Sequence, residues 1–125
     1  MGFGYKGDTG HYHTLGENAA SLKKSFKFNP NSGYFGDKGD SPRSSVRHIA
    51  SKNPLITAKE FYDKASYGGI EKKIDDGKFK TVMKDGTTLV FREISNSDGT
   101  PAVEIFIQSS DKNGGIKTQK IHFVN

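Results

Sequence analysis

The run Lys117-Thr118-Gln119-Lys120-Ile121-His122-Phe123-Val124, KTQKIHFV, decides how this chain is read. Side chains alternate sides along a strand, so the segment sends Thr118, Lys120 and His122 to one face and Gln119, Ile121 and Phe123 to the other. The second set has the character of a core, the first that of a site. Working back from it, PAVEIFIQ (101–108), TTLVFREI (87–94) and KFKTVMK (78–84) are further strand-like runs, separated by SSDKNGG, by SNSDGT and by Asp85-Gly86. The Asp-Gly pair suits a tight hairpin turn in which both central residues take positive φ. Four successive strands joined by turns make an antiparallel meander.

The first half reads differently. ENAASLKKSFKF (17–28) spaces Ala19, Ala20, Leu22 and Phe26 for a short helix that ends before Pro30. LITAKEFYDKASYGG (55–69) predicts a second helix, with Thr57 as N-cap, Glu60 completing a capping box, Phe61 and Ala65 against the sheet, and Gly68-Gly69 as the stop. Residues 1–17 read as a loop or irregular edge. Residues 29–45, dense in Gly, Pro, Ser, Asn and Asp, read as a loop, and SSVRHIASKNP as one short helical or extended turn. Helices first and sheet last predicts an α+β domain, with N-terminal helices packed on a C-terminal four-stranded antiparallel sheet. At 125 residues the chain suits a single domain, 1–125, in which residues 1–30 form an N-terminal extension.

Composition narrows the chemistry. Lys and Arg outnumber Asp and Glu by 19 to 14, which favours an anionic partner such as nucleic acid. With no cysteine, disulfide scaffolds, thiol nucleophiles and zinc deaminases that use Cys ligands are excluded. FGDKGDSPR is glycine-rich but lacks the Gly-Lys-Ser/Thr ending of a phosphate-binding loop. No apolar run approaches the ~20 residues of a membrane span, and the first residues lack the apolar stretch of a signal peptide. Export would then be directed by another part of a longer chain.

Strand register suggests a constellation. Centring the turns near Asp98 and near Lys112 or Asn113 sets Arg92 opposite Glu104, and Glu104 opposite Lys120 or His122. These four are the parts of a metal-independent RNA-cleaving site, needing no cofactor. Either Glu104 is the base and His122 the acid, or His122 is the base and Lys120 protonates the leaving group, while Arg92 clamps the phosphate. Ordinary cross-strand ion pairs account for the same residues. His48, beside Arg47, is a reserve acid/base group reaching the sheet from the helical layer. His11 and His13 in GHYHT are spaced for a metal-dependent DNase, or for an RNA contact with Tyr5 or Tyr12 stacking on a base. A basic module that binds nucleic acid without cutting it is a third reading.

GYFGDKGD (33–40), NPLITAKEFYDKASYGG (53–69), DGTTLVFREISNSDGTPAVEIFI (85–107) and GIKTQKIHFVN (115–125) together resemble the C-terminal toxin domains of bacterial polymorphic toxins, especially those of LXG-type secreted proteins. The resemblance spans roughly residues 34–124 and is strongest over FREISNSDGTPAVEI and QKIHF. It implies a ribonuclease of the barnase/EndoU/colicin/RelE-like group, secreted within a larger toxin and acting on RNA, tRNA included, in the target-cell cytoplasm. It also implies a monomer, or a heterodimer with a cognate immunity protein, whose acidic surface would cover the basic face. It carries over to Arg92, Ser95, Ser97, Asp98, Lys120 and His122, with Ser97 and Asp98 also suited to shaping a turn. Substrate contacts are expected from Ser97, Lys117, Arg47 and His13.

Overall fold

The computed structural model describes residues 4–5, 12–96, 98–108 and 113–125, with the side chains of 4 and 5 outside the description. Its elements are β1 (Gly4–Tyr5), α1 (Leu15–Ser25), β2 (Phe28–Asn29), β3 (Tyr34–Phe35), β4 (Asp37–Lys38), β5 (Val46–Ala50), α2 (Pro54–Ala65), β6 (Ile70–Asp75), β7 (Lys78–Val82), β8 (Thr88–Arg92), β9 (Ala102–Phe106) and β10 (Gln119–Val124). The α+β class and the β7-β8-β9-β10 meander are as the sequence suggests. The sheet is wider than four strands. Among the described residues it has eight, in the order β1-β6-β7-β8-β9-β10-β5-β4, with β2 and β3 as a separate small hairpin.

The extra strands lack an apolar signal, which is why they escape a sequence reading. IEKKID of β6 carries charge on both faces, yet pairs antiparallel with β7. VRHIA of β5, between turn-rich segments, is extended and runs parallel to β10. That parallel pair is the sheet's departure from antiparallel order, and it closes the distance between the two halves of the chain.

Both helices cover one face. α1 starts at a capping box, in which Thr14 accepts from the Glu17 backbone and the Glu17 carboxylate accepts from the Thr14 N–H. Leu15, Asn18, Ala19 and Leu22 form its buried stripe. α2 starts earlier than expected, with Asn53 as N-cap and Pro54 in the first turn. Thr57 is not the cap: its N–H bonds the Asn53 carbonyl, and its hydroxyl pairs with Ser51 at 2.6 Å. Ala58, Phe61, Tyr62 and Ala65 bury against the sheet, where they meet Leu89, Phe91, Val103, Ile105, Ile121 and Phe123. The Asp85-Gly86 hairpin is also longer than expected. Only Gly86 has positive φ, at 90°, and Met83 bonds Thr87 across a three-residue loop. No helix among the described residues is long and apolar enough to cross a membrane.

Candidate functional site

Gln119, Ile121 and Phe123 face the helices and are buried, so Lys120 and His122 point to the helix-free face. Register extends this face across the strands in two rows. One runs Lys78, Arg92, Ala102, His122, His48 and Asp37; the other runs Lys80, Val90, Glu104, Lys120 and Val46. Arg92, Glu104, Lys120 and His122 therefore share one face, with one change in pairing. Arg92 stands opposite Ala102, and reaches Glu104 diagonally through Nε at 3.0 Å. Lys120 is the residue opposite Glu104.

His48 comes to the site by a route the sequence does not suggest. It lies on β5 rather than in the helical layer, and parallel pairing sets it directly beside His122. The two rings meet edge to face, with centroids 5.9 Å apart and planes at 82°. Gly39 lies against His48; a side chain there would put its Cβ 2.8 Å from Nε2, so any larger residue would force the ring to shift.

Ser95, Asp98 and Thr100 form a hydrogen-bonded group beside His122, which is only 4% exposed. Its Nδ1 lies 2.9 Å from Thr100 Oγ1 and 3.2 Å from Asp98 Oδ1. That same carboxylate oxygen accepts from Ser95 Oγ at 2.8 Å, from Thr100 Oγ1 at 2.6 Å and from the Thr100 N–H at 3.0 Å. A hydroxyl has one proton to give. Since Thr100 gives its proton to Asp98, its oxygen meets the imidazole as an acceptor, and both neighbours of Nδ1 call for a proton there. The network thus assigns Nδ1–H, leaving the Nε2 lone pair as the basic atom.

Electrostatics agree with that assignment. Burial pushes the His122 pKa below its ordinary value, with Lys120 and His48 adding to the effect, while Asp98 opposes it. The imidazole is accordingly neutral near pH 7. Burial alone would raise the Asp98 pKa, but the hydrogen bonds from Thr100 and Ser95, with the charge that His122 carries once protonated in acid, outweigh it and hold Asp98 well below the usual carboxylate range.

Glu104 fits the role of base less well. Its carboxylate is committed to Arg92, with only about 18% of the side chain exposed. An open cleft of about 430 Å³ begins at Arg92 and Lys78 and is bounded by Asp75, Asp76, Glu93 and Asn96.

The remaining expected contacts lie elsewhere. Arg47 alternates with His48 and turns away from the site: its guanidinium donates to the carbonyls of Phe35, Ser44 and Gly36, each at 3.0 Å, and packs over Tyr34. It ties β5 to the β2–β3 hairpin. Lys117 is exposed, with its Nζ 5.9 Å from the centre of the same Tyr34 ring. His13 bonds Asn18 at 2.9 Å and meets Tyr67 edge-on, pinning the start of α1 to the end of α2. Tyr12 donates to the Val82 carbonyl. Ser97, His11 and the Tyr5 side chain lie outside the described residues. Among the described residues, no three His, Cys, Asp or Glu side chains group as metal ligands.

Thr100 is the site residue that sequence reasoning missed. The signal was present as S-x-x-D-x-T (95–100), a spacing that lets the Asp bond a hydroxyl behind it and a backbone N–H ahead of it. Comparison with known proteins adds no relative: no family model, no curated protein and no solved structure matches this chain.

Proposed function

We propose that the domain is an antibacterial toxin ribonuclease that cleaves RNA without a metal, the reading carried by the fixed His122 imidazole lying against His48 on a cation-bearing sheet face. In this mechanism His122 Nε2 takes the proton from a 2′-hydroxyl, and the freed oxygen attacks the adjacent phosphorus. The bond to the 5′-oxygen breaks and a 2′,3′-cyclic phosphate forms. His48, the more exposed of the two rings, gives a proton to the departing oxygen, with Lys120 as the neighbouring alternative donor. Arg92 and Lys120 stabilise the charge that grows on the phosphate oxygens. Asp98 keeps the His122 tautomer and ring orientation, and favours the imidazolium formed after proton transfer.

The order of helices followed by an antiparallel meander supports kinship with the barnase/EndoU/colicin/RelE-like ribonucleases. The toxin reading adds secretion within a longer chain, action in the cytoplasm of a target cell, and a cognate immunity protein with an acidic surface. Net charge of +5 supports both the anionic substrate and the acidic inhibitor.

Incubating the domain with total RNA, tRNA and plasmid DNA, with and without a chelator, tests the proposal. RNA cut in chelator, and lost in a folded His122→Ala variant, is the expected result. Cutting of DNA only with a divalent metal, or retention of RNA without cleavage, overturns it.

A further inference from the structure

The helix-free face holds more than the acid/base pair. Along β9, Val103 and Ile105 are buried toward the helices, so Glu104 and Phe106 look the other way. Phe106 is 46% exposed, a large aromatic ring left in water on the face that carries Glu104 and Lys120. It stands opposite Thr88 on β8, two residues along the strand from Glu104, or about 7 Å. Lys120, which pairs with Glu104, is its diagonal neighbour.

Cations stand on β7, two strands over from this ring, in the rows that run through Glu104 and His122. On β7, Phe79 and Thr81 turn to the helices, where Phe79 stacks on Phe91 and Thr81 meets the Tyr62 hydroxyl; Lys78 and Lys80 therefore point to the same face as Phe106. Lys78 stands opposite Arg92, and Lys80 opposite Val90. From Lys80 to Lys120 is three strand spacings, about 14 Å, with Val90 and Glu104 between them, while Lys78 and Arg92 lead along the adjoining row to His122, so cations stand at both ends of the path to the histidines. An exposed aromatic ring on a face that also carries cations is the arrangement that stacks a nucleobase while neutralising the adjoining phosphates.

We infer that this face is a platform for single-stranded RNA, with Phe106 stacking one base, Lys78 and Lys80 holding the backbone, and the strand crossing β7 to β10 toward His122. The inference rests on the ribonuclease reading and adds to it a substrate form and a direction. A duplex keeps its bases stacked inside and offers none to Phe106, so single strands are preferred.

Fluorescence anisotropy of the domain with a labelled 2′-O-methyl oligonucleotide, about eight nucleotides long, measures binding without cleavage because the nucleophilic hydroxyl is blocked. Phe106→Ala weakens binding by on the order of tenfold, while Phe106→Tyr keeps it. Replacing Lys78 and Lys80 together by Gln lowers the slope of log affinity against log salt by about 1.4, from two phosphate contacts at ~0.7 each. A duplex of the same length binds more weakly than the single strand. Unchanged affinity in Phe106→Ala, or equal affinity for duplex and single strand, overturns the inference. Cleavage of RNA that is indifferent to these substitutions overturns the platform and leaves the ribonuclease reading standing. Binding that depends on Phe106, from a domain that never cuts RNA, does the reverse. Capture of an acidic protein on this face by a domain that fails to bind the oligonucleotide sinks the platform as well.

Discussion

Replacing Gln119 by Leu tests how the site's foundation is built. Gln119 is 3% exposed, in the strand that carries His122. Its Oε1 accepts from the buried Phe35 N–H at 2.9 Å, and its Nε2 donates to the carbonyls of Gly33 at 3.0 Å and Lys117 at 2.8 Å. Leu fills similar space but makes none of these bonds. The Gly33 carbonyl keeps a partner, because it also accepts from the Lys117 N–H. The Phe35 N–H loses its acceptor, and an unsatisfied buried donor costs about 1–3 kcal/mol. Adding the net value of the two donated bonds, ~0.5–1.5 kcal/mol each, brings the expected loss to about 2–6 kcal/mol, toward the lower end because the Gly33 carbonyl stays bonded. Urea denaturation should then show an unchanged slope and a midpoint lowered by on the order of 1–2 M. Arg47 grips the same residue from its other side, taking the Phe35 carbonyl at 3.0 Å. Gln119→Leu combined with Arg47→Met should therefore be non-additive by at least ~0.5 kcal/mol. A single variant within ~0.5 kcal/mol of the parent, or strict additivity, would refute the idea that Gln119 and Arg47 clamp one segment between them.

Other expectations concern the histidines and their neighbours. Because the folded His122 pKa lies below its ordinary value, the acid limb of the cleavage rate should lie to the acid side of that value; Asp98→Asn removes the one influence raising that pKa and should move the limb further to acid. An unmoved limb would make Asp98 a loop residue only. The same depressed pKa makes the unfolded state bind more protons between the folded and unfolded values. His122 thus contributes stability above the unfolded value that is lost as pH falls through the folded one, and the drop in stability from pH 7 to pH 5 should be smaller in His122→Gln. A larger or equal drop would contradict the buried, neutral assignment. Glu104→Gln leaves Arg92 without its ion-pair partner and should cost about 1–2 kcal/mol, while slowing cleavage less than about tenfold. A loss of ~10²–10⁴ in rate would instead return the role of base to Glu104. Mapping of diethyl pyrocarbonate adducts by mass spectrometry should find His48 modified before His122, in line with their exposure.

Much of the fold follows from local patterns. β7, β8, β9 and β10 are runs whose helix-facing residues are apolar and whose ends are marked by Gly, Asp and Asn, so both their existence and their order are legible. The helices are legible for the same reason, whereas their starts depend on which of several capping residues wins. Thr57 lost to Asn53 because Pro54 is fixed at a helical φ and lacks an N–H that needs a partner. β5 and β6 have no such pattern. Their pairing is decided by the edges that the meander leaves open, a property of the assembled sheet and of no single segment.

The site divides along the same line. Alternation on β9 and β10 puts Glu104, Lys120 and His122 on one face whatever lies beyond them, and the antiparallel register of β8 on β9 brings Arg92 to that face as well. Alternation does not say what else touches His122. His48 arrives through a parallel pairing between strands far apart in sequence, and Asp98 and Thr100 through a loop whose own hydrogen bonds hold them beside the ring. These contacts change the chemistry more than the face assignment does. They select one tautomer, bury the imidazole, and set a second ring edge to face against it, the pair on which the proposed cleavage rests. If ring pairing is the source of activity, His48→Ala should match His122→Ala in lost cleavage, about 10²-fold or more each, and the double variant should lose little beyond either single one. Full multiplication of the two losses would mean that the rings act separately and that the parallel pairing of β5 with β10 serves the fold alone.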